Sequence, residues 1–216
     1  MSDFSRIVPT IIEKGIEKVD LSMFSQEAKT KLMEDVGDEY LKKGRLIEAI
    51  KAYSLAKNRG KLEKVGDDFK RVSDYSSAVD AYILANSTEK LLELGDKCLR
   101  DGSMAPAVKA FKAVGDVNRL SLVGEECVTK NKIDTAIEVF AILGNVKRLS
   151  EIGDICMKDG RLAYAAKAFE IAKDRDNLSK LGDFCLKENL VNAALKCYQL
   201  AGNNIMVEFI KQNFVV

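Results

Sequence analysis

A glycine recurs every 29 residues along most of this 216-residue chain, and an acidic residue follows each one directly. The glycines are Gly37, Gly66, Gly95, Gly124, Gly153 and Gly182. The acids, which we call the acid ladder, are Asp38, Asp67, Asp96, Glu125, Asp154 and Asp183. Because a fixed period of about 20 to 50 residues is the signature of a tandem repeat protein, this feature constrains the fold more than any other.

Two amphipathic stripes share the period and predict two helices in each repeat. In helix A, large and aliphatic residues precede the glycine, as Leu149 and Ile152 precede Gly153. In helix B, an alanine is followed by an aromatic residue four positions later, as Ala165 is by Phe169. Spacings of three and four indicate one face of a helix. The aromatic residues are Tyr53, Tyr82, Phe111, Phe140, Phe169 and Tyr198.

Turn signals separate the two helices of every repeat. Glycine and asparagine favour the left-handed conformation that ends many helices. The turn residues are Gly44, Ser73, Gly102, Asn131, Gly160 and Asn189. Further stop signals, such as Gly115-Asp116 and Gly202-Asn203, end helix B. Since neither helix can bury its stripe alone, neighbouring repeats must stack, and the sequence predicts six helix-turn-helix repeats over residues 25–203.

The glycines inside helix A need a structural reason. A glycine in a helix interior costs about 1 kcal/mol relative to alanine. We expect helix B to approach helix A closely at these points. We expect the aromatic residues to fill the wider gap between adjacent repeats.

Both ends of the chain are expected to cap the array. Residues 1–24 predict an N-terminal capping helix, with irregularities at Pro9 and Gly15. Its apolar residues are Ile7, Val8, Ile11, Ile12, Ile16 and Val19. Residues 204–216 predict a C-terminal half repeat with Lys211 in place of the glycine, because no helix B follows. Its apolar residues are Val207, Ile210, Phe214 and Val215. We expect one structural domain overall.

The repeated columns resemble those of the tetratricopeptide repeat, and the match covers residues from about 30 to 203. That family's unit has about 34 residues and usually ends with a proline, so these 29-residue units should have a shorter helix B. In this respect they are also similar to the helical solenoids of vesicle-coat subunits. The resemblance implies an all-α, right-handed superhelical α-α solenoid whose A helices line a concave, ligand-facing surface.

Charge and hydropathy exclude several classes of function. Lys and Arg number 34 and Asp and Glu 33, for a net charge of +1, and no basic patch stands out. Binding to nucleic acid or to an anionic membrane needs such a patch. The apolar runs are too short to cross a bilayer, and the N-terminus has no signal-peptide pattern. We expect a cytoplasmic protein that neither binds nucleic acid nor inserts into a membrane.

Little in the sequence supports catalysis or a cofactor. The chain has no histidine, and it lacks a Gly-rich phosphate loop or a nucleophile motif. Cys98, Cys127, Cys156 and Cys185 share one column. Equivalent positions on stacked helices lie about 10 Å apart, which is too far for a shared zinc ion or a disulfide. We predict buried cysteines, no catalytic residue, no metal site and no cofactor.

The surface of helix A is the candidate partner-binding face. Its acids are followed four residues later by a base in most repeats, which is a favourable spacing for an ion pair within a helix. The face is either a solvated, internally paired surface or a charged groove for a partner, and both can hold together. The candidate residues are Asp38, Leu41, Lys42, Asp67, Arg71, Asp96, Leu99, Arg100, Glu125, Val128, Asp154, Met157, Lys158, Asp183, Leu186 and Lys187.

The sign of the ladder indicates the kind of partner. Some tetratricopeptide proteins grip a terminal carboxylate with basic residues, but Glu34 and Asp38 carry the wrong charge for that clamp. A basic or mixed-charge partner is expected. The predicted function is a non-catalytic protein interaction scaffold that binds a peptide or helix along the concave helix A face. The alternative is a self-assembling or structural solenoid subunit, coat-like or homo-oligomeric.

Overall fold

The structure is a computed structural model, which describes Phe4 and residues 6–214. All regular elements in this part of the chain are helical. The α-helices up to residue 115 are α1 Ile7–Lys14, α2 Gln26–Lys42, α3 Leu46–Leu55, α4 Arg59–Arg71, α5 Tyr75–Leu84, α6 Thr88–Arg100 and α7 Met104–Val114. Those beyond it are α8 Val117–Thr129, α9 Ile133–Ile142, α10 Val146–Lys158, α11 Leu162–Ala172, α12 Arg175–Lys187, α13 Val191–Ala201 and α14 Asn204–Asn213. The prediction of an all-α helical repeat fold is confirmed.

Each predicted repeat is one pair of consecutive helices. Helix A is α2, α4, α6, α8, α10 or α12, and helix B is the helix that follows it. Helix A has 17 residues in the first repeat and 13 in the others. Helix B has only 10 or 11, as the short repeat predicts.

The turns lie where the sequence predicts them. All six turn residues between helix A and helix B have a left-handed φ, from 57° at Asn131 and Asn189 to 74° at Gly102. The residue after each helix B is left-handed as well, including the non-glycine residues Lys57 and Asn86. Each repeat is therefore helix A, tight turn, helix B, tight turn.

The chain divides into two compact units, one up to Gly115 and one from Asp116. In the first unit α1 packs on α2, and each helix B contacts the helix A that follows it, α3 with α4 and α5 with α6. In the second unit α9 contacts α10, α11 contacts α12, and α13 contacts α14. The core of each unit consists of the aliphatic and aromatic columns, which are almost completely buried.

The aromatic ring of helix B packs onto the glycine of its own repeat. A Cβ added at Gly37 would lie 2.4 Å from Cε1 of Tyr53, and one at Gly153 would lie 2.4 Å from Cε1 of Phe169. The expected close approach is confirmed, but a ring makes it. The closest contacts of the ring are thus inside its repeat, whereas the sequence suggested a gap between repeats.

The N-terminal cap is shorter than the predicted helix. Helix α1 ends at Lys14, Gly15 has a φ of 92°, and a 3-10 turn follows over Ile16–Lys18. Pro9 causes no irregularity, because it lies in the first turn, where a backbone N–H has no partner within the helix. Val8 and Ile11 are buried. Residues 1–3 and 5 of this predicted cap lie outside the described residues.

The C-terminal half repeat is present as α14. Val207 and Ile210 are buried against the preceding repeat, while Val215 lies outside the described residues. Lys211 is exposed and bonds Glu208 at 3.2 Å. The helix also exposes Ile205 and Phe209, the former by 83%, which the sequence analysis did not anticipate.

Candidate functional site

Three acids of the ladder bind a base on the next helix A. Asp38 accepts a hydrogen bond from Nζ of Lys61 at 2.6 Å, and Asp67 accepts one from Nζ of Lys90 at 2.6 Å. Glu125 accepts two from the Arg148 guanidinium, at 2.6 and 2.9 Å. Each base stands 23 residues after its acid. These three acids therefore connect successive repeats.

The predicted ion pairs within helix A are wrong for the first two repeats. Lys42 pairs with Glu39 at 2.6 Å rather than with Asp38, and Arg71 pairs with Asp68 rather than with Asp67. The ladder acids lie on the side of helix A that faces the next repeat. The base of that repeat consequently takes the hydrogen-bonding position, and the base four residues on turns to another carboxylate.

A tyrosine completes the arrangement in the first two repeats. The Tyr53 hydroxyl donates to Asp38 at 2.6 Å, and the Tyr82 hydroxyl donates to Asp67 at 2.7 Å. Nζ of Lys61 lies 5.8 Å from the centroid of the Tyr53 ring, within the range of a cation–π interaction. Nζ of Lys90 lies 5.5 Å from that of Tyr82. We call this arrangement the acid–tyrosine–lysine trio.

The trio shifts the pKa of its members in opposite directions. Partial burial disfavours the charged form of Asp38, but hydrogen bonds from Lys61 and Tyr53 outweigh it and lower the pKa of Asp38. The pKa of Asp67 is lowered in the same way. Burial, followed by the hydrogen bond to the neighbouring carboxylate, raises the pKa of Tyr53 far above its usual range. The acids are therefore ionised and the phenol is protonated at neutral pH.

Acid should weaken this connection between repeats. A carboxyl group with a lowered folded pKa contributes stability above its unfolded pKa, about 4, and loses it as the pH falls through the folded value. Because both carboxylates are partly exposed, we expect Asp38→Asn and Asp67→Asn each to cost about 0.5–1 kcal/mol at pH 7. Urea unfolding at pH 7 and pH 2 should show this difference vanishing at pH 2.

A matched control for this prediction is Asp154→Asn. Asp154 occupies the same ladder position but has no hydrogen bond or ion pair among the described residues, so its replacement should cost little at either pH. A cost for Asp38→Asn that is the same at pH 2 and pH 7 would contradict the assignment.

The last two acids of the ladder have no base at the equivalent position. The residue 23 positions after Asp154 is Asn177, and the one after Asp183 is Met206. The side-chain amide of Asn177 donates to Asp174 at 2.9 Å instead. Within the described part of the chain, Asp183 has a single hydrogen bond, from the Tyr198 hydroxyl at 2.6 Å. The second unit therefore carries two acids without a basic partner.

The remaining candidate residues lie at the surface of helix A. The apolar ones are half-buried, and they are Leu41, Leu99, Val128, Met157 and Leu186. The basic ones are exposed, and they are Lys42, Arg71, Arg100, Lys158 and Lys187. Asp96 is half-buried. The structure thus leaves part of every apolar side chain accessible beside a charged one.

The second unit exposes apolar residues of helix A that the sequence analysis missed. They are Leu122, Ile155, Phe184 and Phe209. The equivalent columns in the first unit are charged throughout, with Asp35, Glu39, Lys64, Asp68, Glu93 and Lys97. Comparing these columns across the repeats is the signal that would have found them. The helix A surface is therefore more apolar in the second unit than in the first.

The cysteines are buried and free, as predicted. Burial raises the pKa of Cys98 to about 11 and that of Cys197 to about 12, so these thiols are protonated at neutral pH and are poor nucleophiles. Cys197 lies in a column that is otherwise alanine or valine, and it forms a hydrogen bond with Cys185. No group of three or more metal-ligating side chains occurs within residues 6–214 or at Phe4.

The helices are short for a membrane. Of those in the described part of the chain, none combines the length and the apolar character that crossing a bilayer requires.

Comparison with known proteins adds little to this description. No protein-family model and no curated protein matches the sequence. Among solved structures, the chain is similar to one described as a circular tandem repeat protein with novel repeat topology and enhanced subunit contact surfaces. The identity is 14%, the TM-score is 0.24, and the match covers 95% of this chain and 54% of that one. This chain spans about half the length of that protein.

A TM-score of this size supports no inference about the chain. The 29-residue period and the consecutive packed helix pairs define it as a tandem helical repeat protein.

Proposed function

We propose that this chain is a non-catalytic, tetratricopeptide-like interaction scaffold of the cytoplasm, and that its second unit binds a basic segment of a partner protein. The observation that carries the proposal is the pair of acids without a base, Asp154 and Asp183, beside the half-buried Met157 and Leu186. Apolar contact supplies affinity and complementary charge supplies orientation and specificity.

The difference between the two units supports this choice of surface. In the first unit Asp38 and Asp67 are neutralised by lysines of the same chain, so they offer little to a partner. The second unit combines unpaired acids with exposed apolar residues such as Ile155 and Phe184. A partner segment with alternating apolar and basic side chains, extended or helical, matches that combination.

The test is loss of partner binding in the double variant Met157→Glu and Leu186→Glu. A partner captured from the native organism and then purified should bind this variant at least tenfold more weakly in calorimetry, because two apolar contacts are replaced by carboxylates. The wild-type affinity should also fall as salt is raised, since the acids contribute through charge.

A matched control is Ile171→Glu, on helix B of the same unit. Ile171 is exposed to the same degree as Phe184, 38% against 37%, but it lies on α11 and outside the helix A surface. Circular dichroism should show the wild-type helix content in all variants. Equal affinity of the wild type and the double variant would refute this location of the site.

Self-association is the second candidate function, and a column of exposed aliphatic residues on helix B favours it. The column contains Leu55 and Leu84 in the first unit and Ile142 and Ile171 in the second. A contact between copies of the chain would cover such residues. Light scattering from 5 to 500 μM, values of about this size being our choice of range, distinguishes the two: a strict monomer excludes assembly through this column.

A further inference from the structure

The acid–tyrosine–lysine trio is incomplete in the sixth repeat. Tyr198 bonds Oδ1 of Asp183 at 2.6 Å, as Tyr53 bonds Asp38 and Tyr82 bonds Asp67. Met206 occupies the position that belongs to lysine in the two complete trios. The acid and the tyrosine are therefore in place, and the cation is missing.

The surroundings of Asp183 are open to a ligand. Asp183 is exposed and borders a shallow depression of about 380 Å³, whose other walls are Leu186, Lys187, Tyr198 and Met206. Oδ2 of Asp183 has no hydrogen-bond partner among the described residues. Lys187 stands at the rim but forms no ion pair with that carboxylate in the described structure. The apolar walls suit the methylene chain of a lysine.

We infer that Asp183 and Tyr198 form a binding site for the lysine side chain of a partner segment. The chain itself shows how the same acid and tyrosine hold a lysine, twice, with Nζ 2.6 Å from the carboxylate. In contrast, an arginine is held where the ring is phenylalanine and the acid is Glu125, as with Arg148 near Phe140. A tyrosine beside an aspartate thus favours lysine over arginine. The inference rests on the proposed function for the identity of the partner, and it adds the residue that the partner must present.

The two unpaired acids differ in this respect. The ring in the repeat of Asp154 is Phe169, which has no hydroxyl to fix the carboxylate. Asp154 is therefore a matched control for Asp183: it lies on the next helix A of the same unit and has the same charge, but it lacks the tyrosine.

The test uses the whole chain and Nα-acetyl-lysine amide as the probe, followed by amide NMR shifts. Saturable shifts are expected at Asp183, Tyr198 and Met206, with half-saturation on the order of 10 mM, because one partly exposed ion pair binds weakly. The Nε-acetylated compound, which lacks the charge, should cause none of these shifts. Asp183→Asn should abolish them, and Asp154→Asn should leave them unchanged.

A second variant fills the site from within. Met206→Lys restores the lysine of the complete trio, so it should raise the midpoint of thermal unfolding by about 1–3 °C and should remove the shifts caused by the probe. Shifts that persist in Asp183→Asn or in Met206→Lys, or that the acetylated compound also produces, would overturn the inference. Neither result depends on Met157 and Leu186, so the lysine site and the proposed partner surface can fail separately.

Discussion

Replacing Phe169 by alanine is expected to lower the free energy of unfolding by about 3–5 kcal/mol. The side chain is completely buried, and its ring lies directly against Gly153 of the same repeat. Removing it leaves a cavity next to a residue that has no side chain to fill it. Urea unfolding followed by circular dichroism measures the effect, and the midpoint of the transition that involves the second unit should move most.

The control for Phe169 is Ile171→Ala, two residues further along α11. Ile171 is 38% exposed, so its truncation removes fewer buried contacts and should cost less than about 1 kcal/mol. A loss below 1 kcal/mol for Phe169→Ala would contradict the assignment of this ring to the core of its repeat.

Adding a single methyl group at Gly66 is the second change with a large expected effect. The new Cβ would lie 2.4 Å from Cε1 and 2.7 Å from Cδ1 of the buried Tyr82 ring, so the ring must move. Overpacking of this kind costs about 1–3 kcal/mol, although alanine is intrinsically the better helix former. We expect Gly66→Ala to be destabilising in urea unfolding.

Helix α4 also supplies the control, because it contains a second glycine. A Cβ at Gly60 would meet only Oδ1 of Asn58, at 3.8 Å, so Gly60→Ala should stabilise the chain by about 0.5–1 kcal/mol. The two substitutions are therefore expected to have opposite signs in one helix. In a Tyr82→Ala background the obstruction is gone, and Gly66→Ala should become stabilising as well. The same sign for both glycines in the wild type would show that Tyr82 does not set the cost.

Most of the fold was predictable because a repeated sequence tests each inference six times. The turn at Asn131, for example, is ambiguous alone, but Gly102 and Gly160 hold the same place in neighbouring repeats. All have the left-handed conformation that the pattern indicates. The N-terminal cap has no such replicates, and there the prediction of one helix over 1–24 was wrong.

The partners of the acid ladder were not predictable in the same way. Lys42, four residues after Asp38, and Lys61, 23 residues after it, are both basic and both periodic in type. The sequence alone favours the local pair, since only the packed structure brings the next helix A within reach. The lysine column and its replacement by Met206 were nevertheless visible in the sequence, and the missing step was to compare that column with the acids. The partner-binding face stays a prediction.

The contact between each glycine and its ring lies inside one repeat, whereas the bond between acid and base spans two, and this division bears on how such an array gains or loses units. Removing residues 59–87 takes out one period and leaves every remaining ring on its own glycine. The same cut brings Asp38 to the distance of 23 residues from Lys90, so one lysine takes over from another. Duplication or deletion by whole periods therefore preserves both kinds of contact in the first unit, while beyond Glu125 the junctions are no longer interchangeable.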